Sequence, residues 1–298
     1  MEWIVFALLA PAFWAMNSIT TKVLIDKKFQ KPIPFMIFLL LIDMFFAFGV
    51  FLLLPITFVY PYSIYAMLTG ALGMTASLFY LKALRMEEAS RISSLIQMSP
   101  IFIAILSSIF LGEVLALQQY FGIVLIVVAS MLISYRRVKA GRRLSPALKF
   151  MLVFALGVAA YNIFTKYVMN YISYWMFFFW DVMGFISTTP VLLLIPKVRK
   201  DFLKIISSLD KKTIAGGVLN ESLWFLGSVS MLVAISLSYV SIVSSIGALQ
   251  PLFALAYTIL LSLFIPSILK EEITRFNVAQ KLFAVLLIFV GIWMLNVF

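Results

Sequence analysis

Residues 83–100 read ALRMEEASRISSLIQMSP, and residues 234–251 read AISLSYVSIVSSIGALQP. Ala83, Ser90, Ser93, Ser94 and Pro100 recur at the same spacing as Ala234, Ser241, Ser244, Ser245 and Pro251. A repeat at long range decides the architecture before any single motif does. Working outward, Ser18, Thr21 and Lys22 correspond to Asn162, Thr165 and Lys166, and LLLP at 52–55 corresponds to LLIP at 193–196. The chain therefore reads as two halves, 1–138 and 145–298.

Around these markers the sequence is almost continuously apolar. Of 298 residues, 64% are hydrophobic and 12% charged, against roughly 45–50% and about 25% in soluble proteins. A soluble domain could not hide so much apolar surface, whereas runs of about 18 apolar residues suit a bilayer. Ten spans are expected, near 3–24, 33–54, 62–84, 89–110, 118–135, 147–168, 174–195, 214–235, 240–264 and 278–297. Five spans per half is an odd number, so the second half enters the membrane the other way up. The charges agree: loop 25–32 holds Lys27, Lys28 and Lys31 while 169–173 holds no charge, and loop 55–61 is uncharged while 197–212 is basic. Matching loops of opposite character are what inverted repeats require. The expected fold is an all-α integral membrane protein of ten transmembrane helices in two inverted five-helix repeats.

Lys and Arg gather in the odd-numbered loops, which places those loops in the cytoplasm and both termini outside a plasma membrane. The net charge of +11 is thereby assigned to membrane topology and not to a nucleic acid partner. Cys and His are absent, which excludes disulfides, thiol nucleophiles, His triads and Cys/His metal sites, and no cofactor is expected. No phosphate-binding Gly-x-x-x-x-Gly-Lys-Ser/Thr loop occurs, so ATP hydrolysis has no sequence signal. The first apolar run is read as a retained helix because it lacks a basic n-region and a cleavage site. Pro11, Pro100 and Pro251 predict kinks inside spans, and Pro55 and Pro196 predict span ends. Ser145-Pro146 reads as a helix start, and Thr213 as the cap of the eighth span. Within 197–212, Phe202, Ile205, Ile206 and Leu209 fit either an amphipathic surface helix or a basic loop.

Phe79-Tyr80-Leu81-Lys82-Ala83-Leu84, followed by Ser93-Ser94, Pro100 and Leu111-Gly112-Glu113, resembles the signature of the EamA-type drug/metabolite transporters. The second half echoes it with Ala234, Pro251, Glu271-Glu272 and Gly291. The resemblance covers nearly the whole chain. It implies a five-plus-five helix plan around a central cavity and carriage of small solutes. The chain departs from the pattern at 264–270, which lengthens the ninth–tenth connection, and at Glu271-Glu272, which replaces a Gly-Glu pair. The family carries amino acids, nucleotide precursors, quaternary amines and sugar phosphates, so membership alone selects no cargo.

Ionisable groups inside spans are costly, and each is a functional candidate. Three acids qualify: Asp43, Asp181 and Glu221. Asp43 and Asp181 are expected to face each other across the repeat axis. Each acid is either a proton site or counter-ion, or a structural carboxyl bonded to a neighbouring helix or to Lys22 or Lys166. Glu221, Trp224 and Ser228 share a helical face, which suits an ammonium group. Trp14, Asn17, Ser18 and Thr21 form a polar stripe with Lys22 beside it, and Asn162, Thr165 and Lys166 form its counterpart. Gln97 and Gln250 lie beside prolines that free backbone carbonyls, and Tyr80 is read as lining the same space. The serines near 90–94 and 241–245 are read as packing residues, Trp3, Tyr135 and Trp293 as interfacial anchors, and Glu113 and Glu272 as caps.

The expected function is a secondary transporter of small metabolites, most simply an amino acid or related amine, working by alternating access. Expected partners are the solute, the bilayer and protons as candidate coupling ion, for a monomer or homodimer. No enzyme activity is expected. The alternatives are an intramembrane aspartyl-type enzyme, for which Asp181 lacks a Gly-x-Gly-Asp setting, and a channel or scaffold.

Overall fold

The structure is a computed structural model and describes residues 2–27, 29, 32–84, 86, 92, 95–134, 147–264 and 275–295. Among them the regular elements are all helices: α1 (Glu2–Lys27), α2 (Pro32–Leu53), α3 (Tyr62–Leu84), α4 (Ser99–Phe110), α5 (Leu117–Ser134), α6 (Ala147–Met169), α7 (Tyr174–Ser187), α8 (Thr189–Leu193), α9 (Pro196–Ile206), α10 (Lys211–Leu237), α11 (Val240–Gly247), α12 (Gln250–Phe264) and α13 (Arg275–Met294). Seven helical runs among the described residues are long and apolar enough to cross a bilayer, and α4, α5 and α13 carry shorter apolar runs. Phe45, Leu53, Leu194 and Trp293 point outward, fully or largely exposed. Such a surface is a liability in water and is at home in hydrocarbon. The chain is a multi-pass helical membrane protein.

Prolines decide where the spans break. Pro11 lies inside α1, which continues through it. Pro100 and Pro251 instead stand in the first turns of α4 and α12, each after a two-residue turn, at Gln97-Met98 and at Ala248-Leu249. The first helical turn is where a missing N–H costs least. A break that the sequence reading missed falls at Thr188, just ahead of Pro190, and divides the seventh span into α7 and α8. Pro196 follows the end of that span at Leu193 and opens α9. Within 197–212 a helix does form. Its Val198 and Phe202 pack against the cluster that holds Ile37 and Leu40, and its Ile205 and Ile206 against the one that holds Phe35 and Phe38. The apolar face of α9 thus lies on α2. Asp210, not Thr213, caps α10: its Oδ1 accepts from the Thr213 N–H at 3.2 Å and from the Thr213 hydroxyl. Ser145, Pro146, Tyr135, Glu271, Glu272, the stretch 265–270 and Ser90, Ser93 and Ser94 lie outside the described residues.

Lipid supplies no hydrophobic drive between helices, so close packing must hold them. α1 runs along α10, α3 along α6 and α7, α2 along α7, α4 against α11, and α5 along α13. At the α3–α7 crossing, a Cβ on Gly70 would lie 2.0 Å from the Asp181 carbonyl oxygen, and one on Gly184 would lie 2.0 Å from that of Met67. Gly122 and Gly291 make the equivalent contact between α5 and α13, with 2.8 Å to the Gly291 carbonyl and 3.0 Å to the Gly122 carbonyl. Many hydroxyls bond back to their own helix, Thr69 to Tyr65 O, Ser77 to Gly73 O, Thr165 to Tyr161 O and Ser230 to Leu226 O. In hydrocarbon this is how a polar side chain finds a partner without a neighbour.

Glu113 does cap a helix, one far along the chain. Buried, it accepts from the N–H groups of Val240 at 2.8 Å and Ser241 at 3.2 Å, and from the Ser241 hydroxyl at 2.8 Å. Those are orphan donors at the start of α11, where a carboxylate also meets the positive end of the helix dipole. Glu113→Ala leaves them buried and unbonded, and a loss of about 2–3 kcal/mol is expected. Thermal unfolding in detergent checks it, with Glu113→Gln, which keeps one acceptor, falling between the two.

Candidate functional site

A cavity of about 410 Å³ opens between α3, α4, α6, α7, α10 and α11, with Trp14 of α1 at its edge. Small-molecule sites typically measure roughly 300–1,000 Å³, so this one suits a small metabolite. Of the residues singled out in the sequence, Trp14, Gln97, Asn162, Asp181, Trp224 and Gln250 line it, with Thr165 and Ser228 from the same polar faces. The helix breaks at 97–98 and 248–249 explain the two glutamines, since each turn swings its Gln toward the space that the interrupted helix leaves. Gln250 Nε2 also donates to Trp14 O at 3.2 Å and to Ser18 Oγ at 2.9 Å, which ties α12 to α1.

Asp181 is the one acidic or basic side chain among the described lining residues. It is 3% exposed, and its Oδ2 accepts from the Tyr161 hydroxyl at 3.0 Å. Its Oδ1 is buried and has no hydrogen-bond partner. A buried acceptor without a partner is rare enough to need a reason, and a ligand's donor would supply one. Tyr161, Phe154, Phe178 and Phe185 line the cavity beside it. None was singled out in the sequence. Tyr161 was within reach, because it stands four residues before Thr165 on the polar face of α6. The phenylalanines were not, since nothing local separates them from the many that face lipid.

The other six candidates lie elsewhere. Asn17 donates from Nδ2 to the Asn220 carbonyl at 2.8 Å. Lys22 is exposed. Tyr80 packs on Phe154 with ring centroids 5.5 Å apart, so it stands behind the cavity wall. Lys166 donates to Ile235 O at 2.6 Å and to Ser238 O at 2.9 Å, a cation on the carbonyl end of α10. Glu221 is 3% exposed and turns away from the cavity that Trp224 and Ser228 line. Ser228 lies two turns further along nearly the same face as Glu221, so the two environments are separated along α10 as well as around it.

Glu221 instead neighbours Asp43, a buried acid of α2 that is 6% exposed, where α2 packs on α10. Asn220 Nδ2 donates to Glu221 Oε1 at 2.9 Å, and Asn220 Oδ1 accepts from Thr20 at 2.6 Å and Thr21 at 2.9 Å. The expected pairing of Asp43 with Asp181 is therefore replaced by two separate arrangements, Asp43 with Glu221 and Asp181 with Tyr161. The two aspartates that the enzyme alternative required are not brought together.

Residues 1–135 match the EamA-like transporter family, which belongs to the drug/metabolite transporter superfamily. No curated protein sequence matches the chain. Solved structures do, in 28 chains. One of them, a crystal structure of a protein, superposes with a TM-score of 0.72 over 98% of this chain and 96% of its own, at 12% identity. That likeness is one of fold, and it extends well past residue 135 into the second half.

Proposed function

From a first half that matches the EamA-like transporter family, we propose that the whole chain is a secondary transporter that carries a small amine-bearing metabolite, an amino acid or related amine, by alternating access. In this reading ten spans form two inverted repeats, 1–138 and 145–298. The packing pairs support it. With the spans numbered in chain order, first packs on eighth and third on sixth, second on seventh, fourth on ninth, and fifth on tenth. Exchanging the halves maps that set of contacts onto itself, as a two-fold axis in the membrane plane would.

The observation that carries the cargo class is Asp181, whose Oδ1 has no partner, in the lining of an aromatic cavity. An ammonium group would satisfy it, and Trp14, Tyr161 and Trp224 offer π faces that attract cations. The lysines that kept a carboxylate in play stand apart from the cavity, Lys22 exposed and Lys166 engaged with backbone carbonyls. The amine end of an amino acid therefore has a partner in the cavity, and its carboxylate has only neutral donors such as Gln97, Asn162 and Gln250.

The test is a thermal-stability screen of the purified protein against amines, amino acids, nucleosides and sugar phosphates. A ligand that binds the folded state raises its apparent stability by mass action. Amines are expected to stabilise most and sugar phosphates least. Stabilisation by sugar phosphates or nucleosides in place of amines would overturn the cargo class. Passage of solute as discrete electrical currents, without saturation, would overturn the carrier in favour of a channel.

A further inference from the structure

α9 leaves one lipid-facing span and leads into the next. Val191, Leu194 and Ile195, just ahead of it, are exposed, and so are Ile214 and Val218 in the first turns of α10. Large exposed apolar side chains in a membrane protein mark the surface that hydrocarbon covers. α9, Pro196–Ile206, is therefore held at the boundary of the bilayer from both of its ends. An amphipathic helix in that place ordinarily spends its apolar face on acyl chains. Here the face is already taken, because Val198, Phe202, Ile205 and Ile206 pack against the clusters that α2 helps to build.

What α9 turns outward is basic. Lys197, Lys200 and Lys204 fall within an arc of about 60° around the helix and climb about 10 Å along it. All three are exposed. Arg199 and Leu203 stand on the adjoining flank, exposed as well. The helix has four bases and one acid, Asp201. The far end of α2 has the opposite character: loops 55–61 and 169–173 carry no charge, and Tyr62 and Tyr171 stack there with ring centroids 4.0 Å apart. The bases are thus gathered on one membrane face, and α9 holds them in a fixed register because its apolar side is anchored.

We infer that the outward arc of α9 is a binding site for an anionic phospholipid, with Lys197, Lys200 and Lys204 taking the headgroup phosphate. Clustered bases at a membrane boundary attract anionic headgroups. The apolar side chains beside them decide between a lipid and a soluble anion. Leu203 is exposed next to Lys200, and Leu194 and Ile195 lie just ahead of Lys197, so a ligand seated on the lysines also meets a surface suited to an acyl chain. A free phosphate would leave that surface uncovered. The site stands apart from the solute cavity and does not depend on the transporter reading.

Native mass spectrometry of the full chain tests the site, with the protein released from micelles that hold equal amounts of phosphatidylglycerol and phosphatidylcholine. The wild type is expected to retain phosphatidylglycerol about tenfold more often than phosphatidylcholine. The triple variant Lys197→Gln/Lys200→Gln/Lys204→Gln should bring that ratio to within about twofold of one. Its three positions are exposed, so its circular dichroism should match the wild type. Should it fail to fold, Lys200→Gln alone decides by the direction of the same ratio. Lys22→Gln/Lys211→Gln/Lys212→Gln removes as much charge from exposed bases outside the arc and should keep most of the preference. An equal loss in both triple variants overturns the site, because it reports only the attraction of a basic protein for any anionic lipid. Equal retention of the two lipids by the wild type overturns it as well. Displacement of phosphatidylglycerol by millimolar inorganic phosphate would make the arc a soluble-anion site and overturn the phospholipid assignment.

Discussion

Asp181→Asn is expected to weaken binding of phenethylamine and other amines by roughly 10- to 100-fold while leaving the unliganded protein as stable as the wild type or more so. The two halves of that result come from one atom. Asp181 Oδ1 is buried without a partner, so the empty protein gains nothing from the carboxylate's second oxygen and loses nothing when an amide replaces it. A bound ammonium does gain from it. Hydrogen bonds to charged groups contribute about 1.5–3 kcal/mol, and each 1.4 kcal/mol is about a factor of ten in affinity. The isosteric amide keeps the Tyr161 bond and the shape, which isolates the charge. Tyr161→Phe, which removes one donor 3.0 Å from Oδ2, should cost far less, about threefold for a bond of about 0.5–1.5 kcal/mol. Titration calorimetry of the three proteins measures the ratio, and thermal unfolding without ligand measures the rest. An Asp181→Asn protein that binds amines normally would move the cargo site elsewhere. One that unfolds more readily would make Asp181 a structural carboxyl.

Gly184→Ala is expected to be among the most damaging single methyl additions at the described glycines. Helix propensity favours alanine over glycine by about 1 kcal/mol, so the substitution begins with an advantage. Against it, the new Cβ would stand 2.0 Å from the Met67 carbonyl oxygen, less than any real contact, and the atom in the way is backbone. Overpacking of this kind costs about 3 kcal/mol, and the clash wins. Gly70→Ala, with the Asp181 carbonyl 2.0 Å away, should match it. Either change has to part α3 from α7 and therefore to move the segment that carries Asp181. Loss of thermal stability is expected to come with loss of amine binding. By contrast Gly49→Ala, on α2 with open space around its Cβ position, should be neutral or slightly stabilising. A Gly184→Ala protein with wild-type unfolding would mean that the α3–α7 crossing is looser than described.

The sequence carried the apolar helical runs and the two helix breaks at 97–98 and 248–249, because Pro100 and Pro251 mark them chemically. The break at Thr188 was lost because Pro190 sits within an apolar run that reads as one span. The candidate site was legible as a set of polar residues on helices, but not as an arrangement. A helical wheel places Glu221 beside Trp224; which of them points at a cavity depends on what surrounds α10, and that information sits on α2, far away in the chain. Asp43 was read as an acid inside a span and aligned with Asp181 by the repeat, while the packing of α2 on α10 sets Glu221 beside it. Lys166 was read as a possible partner for an acid and turned out to bond carbonyls at a helix end. A backbone acceptor leaves no trace in the sequence.

The hydroxyls that bond to their own helices bear on how the bundle can move. Thr69, Ser77, Thr165 and Ser230 carry their bonds with them, so α3, α6 and α10 can slide past neighbours with no bond to break at those positions. Friction is concentrated on α1, where Asn17, Thr20, Thr21 and the Trp14 carbonyl all reach to α10 or α12. The bonds that tie α1 to its neighbours, like those of Lys166 to the end of α10 and of Tyr161 to Asp181, are the ones that any sliding of these helices would have to break.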